Sequence, residues 1–224
     1  LRLRPRLFYA AALLSAAILP AVPIGVVSAQ VPPALPAAPD MIQEDWKLVI
    51  GIPDPVAVGP QITTVMSPDT TAKPAPFAAF DMNYLEYPAF FAGGMQVQVW
   101  SNDKIITAAS QGGGLFNTPG EVVTWTQSMW LSEGRIGYDV DNGQSTTWGQ
   151  FGQGATLRVG FDTQLSSLAS YDPDDSANRS GASWESNRVQ SLTLVRVRYY
   201  SKGVLILTDS TPRVVVATQD TTGN

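Results

Sequence analysis

Four carboxylates stand in or beside apolar, strand-like runs: Asp81, Glu121, Asp139 and Asp162. Glycan hydrolysis needs two such groups flanking the scissile bond, about 5–5.5 Å apart or somewhat wider. No two of the four fall at alternating positions of one strand, and a Glu-x-Asp-x-x-Glu run occurs nowhere. Solvated strand-end charge is therefore the preferred account of them, and no residue is assigned a catalytic role. The chain has no histidine and no cysteine. That removes Ser-His-Asp and Cys-His catalysis, histidine general bases, zinc sites of the His/Cys kind, and haem and iron–sulfur ligation. A Gly-x-x-x-x-Gly-Lys-Ser/Thr run is absent, and Gly112-Gly113-Gly114 precedes no helical pattern, so phosphate cradling is not expected. No cofactor is expected.

Hard-oxygen ligation is the remaining metal chemistry. Asp172, Asp174 and Asp175 crowd one loop, where calcium is an open question and solubility the plainer account. Asp139, Asp141 and Asn142 form Asp-x-Asp-Asn-Gly. Gly143 stands where an EF-hand needs a ligand and no Glu closes the loop, so a hairpin turn at Asn142-Gly143 is the expectation.

Two strands carry a different kind of surface. In a strand, successive side chains point to opposite faces. Strand 94–101 then puts Met95, Val97 and Val99 inward and Gln96, Gln98 and Trp100 outward. Strand 121–131 puts Val123, Trp125, Gln127, Met129 and Leu131 on one face and Thr124, Thr126, Ser128 and Trp130 on the other. An aromatic ring beside amides and hydroxyls suits a saccharide, which has apolar ring faces and hydroxyls around them. Gln96, Gln98, Trp100, Thr126 and Trp130 are the candidate carbohydrate-binding residues. The competing account is that loops such as 83–93 or 144–154 cover both rings, large aromatics being highly buried on average.

The elements that would position these residues are strands. Candidates run over 45–52, 61–67, 77–83, 94–101, 103–109, 121–131, 135–141, 156–162, 188–200, 203–208 and 213–217, each β-branched or aromatic and bounded by Pro, Gly, Asn or Asp. Residues 164–170 offer one helical turn at most, and no long amphipathic helix is expected. Along 192–200 the apolar parity switches between Leu194 and Val195, which calls for a bulge there or a strand shared between two buried surfaces. Arg196 and Arg198 read as solvated. The whole is an all-β, two-sheet antiparallel β-sandwich of jelly-roll, concanavalin A-like type. No internal repeat suggests a propeller or solenoid.

The first residues read as an export signal: Arg2, Arg4 and Arg6, an apolar run Leu7–Leu19, and Val27-Ser28-Ala29 as cleavage site. Leu1 fits a start lying further upstream or a non-standard initiation codon. Residues 1–29 are the signal, 30–43 a Pro/Ala spacer, 44–217 one domain and 218–224 a flexible tail. The 224-residue chain carries a formal charge of −5, and the signal holds three of its 14 basic residues and none of its 19 acidic ones. The processed chain is thus more acidic still. It is expected to seek neither nucleic acid nor anionic lipid, and not to insert in the membrane once cleaved. Its expected address is secreted, periplasmic or cell-envelope.

Asp45–Ile50, Pro53-Asp54-Pro55, Pro60-Gln61, Thr124–Met129 and Thr146-Thr147-Trp148-Gly149 together resemble a group of uncharacterised secreted bacterial β-sandwich proteins. That likeness spans nearly the whole mature chain and implies no activity. The strand pattern is similar to concanavalin A-like lectin/glucanase jelly rolls in architecture only. The Tyr199–Leu205 hairpin is similar to a strand of jelly-roll alginate lyases, which use a histidine that this chain lacks, so that activity does not carry over. The expected function is a non-catalytic extracellular module, carbohydrate-binding or structural, with polysaccharide as partner. The alternative is a carboxylate-dependent polysaccharide hydrolase or lyase.

Overall fold

The computed structural model describes residues 37–51, 60–69, 76–83 and 93–217. The expected signal peptide, most of the spacer, loop residues 84–92 and the tail lie outside them. Among the described residues the chain forms β1 (Met41–Ile50), β2 (Gln61–Met66), β3 (Phe77–Met82), β4 (Gly94–Ser101), β5 (Lys104–Gly112), β6 (Val122–Ser132) and β7 (Arg135–Ser145). There follow β8 (Gly149–Phe151), β9 (Arg158–Asp162), helix α1 (Pro173–Arg179), β10 (Gly181–Trp184), β11 (Val189–Ser201), β12 (Val204–Asp209) and β13 (Arg213–Ala217). An eight-stranded antiparallel sheet runs β12-β11-β1-β6-β7-β8, with β13 also on β11 and β9 also on β7. A five-stranded sheet runs β10-β2-β3-β4-β5. The two pack face to face as a β-sandwich, the architecture expected from the strand pattern.

Alternation builds the core. Ile42, Trp46, Leu48 and Ile50 of β1 and Val123, Trp125 and Met129 of β6 turn inward and are almost fully buried. Phe80 and Met82 of β3 and Met95, Val97 and Val99 of β4 face them from the other sheet. Ring contacts lock the layers: Phe80 meets Trp125 edge-on at 5.9 Å and Phe151 at 6.1 Å, while Trp46 and Trp125 stack at 6.1 Å. Thr64 of β2 donates across the core to Gln127 Oε1 of β6 at 2.8 Å, satisfying part of a polar group that burial would otherwise penalise.

Three local expectations need correction. Asn142-Gly143 is not a hairpin turn. β7 continues to Ser145, and the pairing shifts between Thr124 and Thr126, because Asn142 takes a left-handed conformation (φ 51°) and forms a β-bulge. Gly143 is there for space: a Cβ would sit 2.4 Å from the Phe151 ring. Residues 173–179 are a helix rather than a loop, with Asp172 accepting from the Asp174 amide at 2.9 Å as its N-cap and Pro173 in the first turn. β1 also begins at Met41, so residues 41–43, assigned to the spacer, belong to the sheet. The parity switch in β11 is a bulge as anticipated: Asp45 pairs with Arg196 and Trp46 with Leu194, which leaves Val195 unpaired and 38 % exposed.

Candidate functional site

The outer face of the eight-stranded sheet is built from one row per strand. Across β11, β1, β6 and β7 the register aligns Arg196, Asp45, Thr126 and Asp141 in one line, and Arg198, Gln43, Ser128 and Asp139 in the next. Beyond these, Met41 and Gly137 flank Trp130, and Gly160 of β9 lies opposite Gly137.

Trp130 rests on that glycine strip. A Cβ on Gly137 would fall 2.0 Å from the indole Cζ2, so the ring occupies the space a side chain would take. Its Nε1 donates to Asp139 Oδ2 at 3.0 Å, and Arg158 of β9 holds the other oxygen, Oδ1, of the same carboxylate. Beside it, Gln43 Nε2 donates to Ser128 Oγ at 3.2 Å. The indole is thus fixed against the sheet, partly exposed, among polar groups.

Farther along β6 lies a groove of about 600 Å³, lined by Asp45, Lys47, Thr124, Thr126, Asn142 and Arg196 with Ser210 and Pro212 at its rim. Asp45 is its electrostatic centre. Arg196 Nη2 reaches Oδ2 at 2.6 Å, Arg198 Nη2 reaches Oδ1 at 2.7 Å, and Thr126 Oγ1 donates to Oδ1 at 3.0 Å. The arginines expected to be solvated are therefore a clamp on one carboxylate. The bulges at Val195 and Asn142 lie on either side of this β1–β6 pair, at the same level of the sheet.

The structure divides the five expected carbohydrate contacts between two surfaces. Thr126 and Trp130 lie on the outer face just described, whereas Gln96, Gln98 and Trp100 belong to β4, on the outer face of the five-stranded sheet. Faces on opposite sides of a sandwich do not form one platform. Gln96 and Gln98 are 8 % and 3 % exposed, hydrogen-bonded to one another, with Gln96 Nε2 also on Ser110 Oγ at 3.0 Å. Trp100 stacks on Phe77 at 6.5 Å. Thr126 is 5 % exposed and supports Asp45. Trp130 and Trp100 are both partly exposed, Trp130 laid on Gly137 and Trp100 on Phe77.

The four carboxylates first considered are dispersed. Asp81, on the outer face of the five-stranded sheet, accepts from Thr63 Oγ1 at 2.5 Å, and burial pushes it up to about 6. Glu121 is buried and accepts from Ser145 Oγ at 2.8 Å. Asp162 is exposed, 3.9 Å from Arg135. Asp139, however, has a neighbour outside those four: Asp141 follows at the next outward position of β7. Burial first, then the Asp139 charge, raises the Asp141 carboxyl above its usual range.

The acidic loop is occupied with the fold. Asp172 caps α1, Asp174 pairs with Arg213 of β13, and Asp175 pairs with Arg179 at 3.4 Å. No group of three acidic side chains suited to a metal occurs among the described residues. No described helix is long and apolar enough to cross a membrane. Neither protein-family models nor curated proteins give any match to this chain.

Proposed function

We propose that this chain is a secreted saccharide-binding β-sandwich module, with its ligand on the outer face of the eight-stranded sheet and no catalytic step of its own. The observation that carries this reading is Trp130, whose indole is laid over Gly137 and pinned through Nε1 to Asp139. A ring so held offers an apolar surface at little entropic cost on binding. Ser128, Gln43 and Arg158 around it supply donors and acceptors for hydroxyls. Thr126 lies four residues along β6, about 13 Å away at the rise of a strand, and leads to the groove at Asp45, which extends the site for a chain rather than a single sugar. The carbohydrate is a neutral polysaccharide outside the cell, consistent with the acidic chain and its expected export.

One observation favours a second reading. Asp139 and Asp141 are adjacent outward carboxylates in different surroundings, one held by Trp130 and Arg158 and the other raised. Pairs whose environments differ in this way serve as acid and base in glycan hydrolysis. Incubating the protein with a panel of soluble and insoluble polysaccharides, with and without calcium, separates the readings. Retention without new reducing ends supports the binding module. Release of reducing ends that disappears in Asp141→Asn supports the hydrolase, and neither retention nor release leaves a structural envelope protein.

A further inference from the structure

Glu44 occupies an inward position of β1, between Ile42 and Trp46, and is fully buried. Its carboxyl joins three parts of the chain. Trp46 Nε1 donates to Oε2 at 2.8 Å, Tyr171 Oη donates to Oε1 at 2.5 Å, and Ser176 Oγ of α1 lies against the same Oε1. Ser176 Oγ also lies against the main-chain carbonyl of Val65 on β2. A hydroxyl has one proton, so Ser176 cannot donate to both oxygens. The accounting closes when Glu44 itself carries a proton: Oε1–H donates to Ser176, and Ser176 donates to Val65. Tyr171 and Trp46 keep their acceptors.

The charged and titratable neighbours do not compensate an ionised form. Arg213 of β13 attracts Glu44, but its guanidinium is taken by Asp174 of α1 and by Asp209 of β12 at 2.8 Å. From β11, Tyr199 stands edge-on to Tyr171 at 6.0 Å, with Asp172 and Asp209 acting on it. The groups contributed by β2 and β6 are the uncharged Thr64 and Gln127. Ionisation would strand a charge in the core and force Ser176 to give up one acceptor.

We propose that Glu44 is a protonation latch: neutral, it holds Tyr171 and α1 against the sandwich, and on losing its proton it releases residues 168–180 and opens the cleft between α1 and β13. That cleft, about 390 Å³, already lies between Asp174, Asn178 and Ser180 on one side and Arg213 and Val215 on the other. A seven-residue helix does not persist without docking, so loss of the latch frees the whole segment. In agreement, burial pushes the Glu44 carboxyl up to about 7, against the bonds from Ser176, Tyr171 and Trp46. The latched state thus binds the proton more tightly than a hydrated Glu does. Release therefore increases as pH rises from about 4.5 to about 7, and levels off above that. This inference is independent of the saccharide reading.

The test is amide hydrogen exchange of the full chain at pH 5, 6, 7 and 8, corrected for the intrinsic pH dependence of exchange. Protection of 168–180 is expected to fall on the order of a hundredfold between pH 5 and pH 7 while β6 holds. Glu44→Gln, which cannot ionise and which, with its amide nitrogen turned to Ser176, still donates there while its oxygen accepts from Trp46, is expected to abolish that fall. Unchanged protection in the wild type, or the same fall in Glu44→Gln, would overturn the latch. A carbon-detected titration of the wild-type glutamates tests the same point without a variant: a Glu44 midpoint of 5 or above supports the latch, and one below 5 overturns it.

Discussion

Replacing Gly137 with Ala isolates the placement of Trp130 from the rest of the fold. Gly137 is not among the residues with positive φ, so alanine fits its backbone. The obstacle is the indole, 2.0 Å from the new Cβ, against 3.4 Å for ordinary contact, so the ring must retreat by about 1.4 Å. Its Nε1–Oδ2 distance is 3.0 Å now, and a retreat of that size lengthens and misaligns the bond, weakening or breaking it. That costs up to about 1 kcal/mol, and alanine in a strand returns about 0.5–1 kcal/mol of backbone entropy. Stability should therefore change by less than about 1 kcal/mol, while the ring is displaced. The assay is the Nε1–H resonance of Trp130, assigned by its absence in Trp130→Phe, together with polysaccharide affinity. The resonance should shift toward solvent-exposed indole, and affinity should fall about tenfold, or 1.4 kcal/mol. An unmoved resonance would refute the steric reasoning, and a moved resonance with full affinity would refute the role of the ring.

Glu44→Gln should remove a pH slope from global stability. The wild-type carboxyl is raised from 4.5 to about 7, so between those values the folded chain binds more protons than the unfolded one. Stability then falls as pH rises through that window, by about 3 kcal/mol in all, and is flat above it. Urea melts at pH 4.5 and 7.5 should show a fall in the wild type that is about 3 kcal/mol smaller in the variant, the remaining slope coming from Asp81 and Asp141, whose carboxyls are also raised. Asp45→Asn should cost about 1 kcal/mol, since Arg196 is 46 % exposed, and the loss should shrink in high salt. Asp172→Ala removes the cap of α1 and should cost about 1 kcal/mol in a thermal melt.

Much of the sandwich is legible in the sequence because alternation is a direct consequence of strand geometry, and all eleven expected strands lie within or overlap observed ones. The two unexpected strands, β8 and β10, span three and four residues, too few to show a period. α1 is written in Asp172-Pro173-Asp174-Asp175, an N-cap, a first-turn proline and acidic first-turn residues, but the same run also has the composition of a cation loop. Asn142-Gly143 misleads because a left-handed residue serves a bulge as well as a turn, and only the partner strand distinguishes them. Glu44 escapes notice when the first strand is begun at Asp45; begun at Met41, it stands out as an acid among inward apolar positions. That Gln96 and Trp130 occupy opposite sheets is a matter of topology, to which strand parity is blind.

The most direct measurement is the affinity of the wild type, Trp130→Ala and Trp100→Ala for the polysaccharide that retains the protein most strongly, by calorimetry on folded samples. The account predicts that Trp130→Ala weakens binding at least tenfold and that Trp100→Ala, on the opposite sheet, leaves it unchanged. Full affinity in Trp130→Ala, or a loss confined to Trp100→Ala, would contradict a site on the eight-stranded sheet.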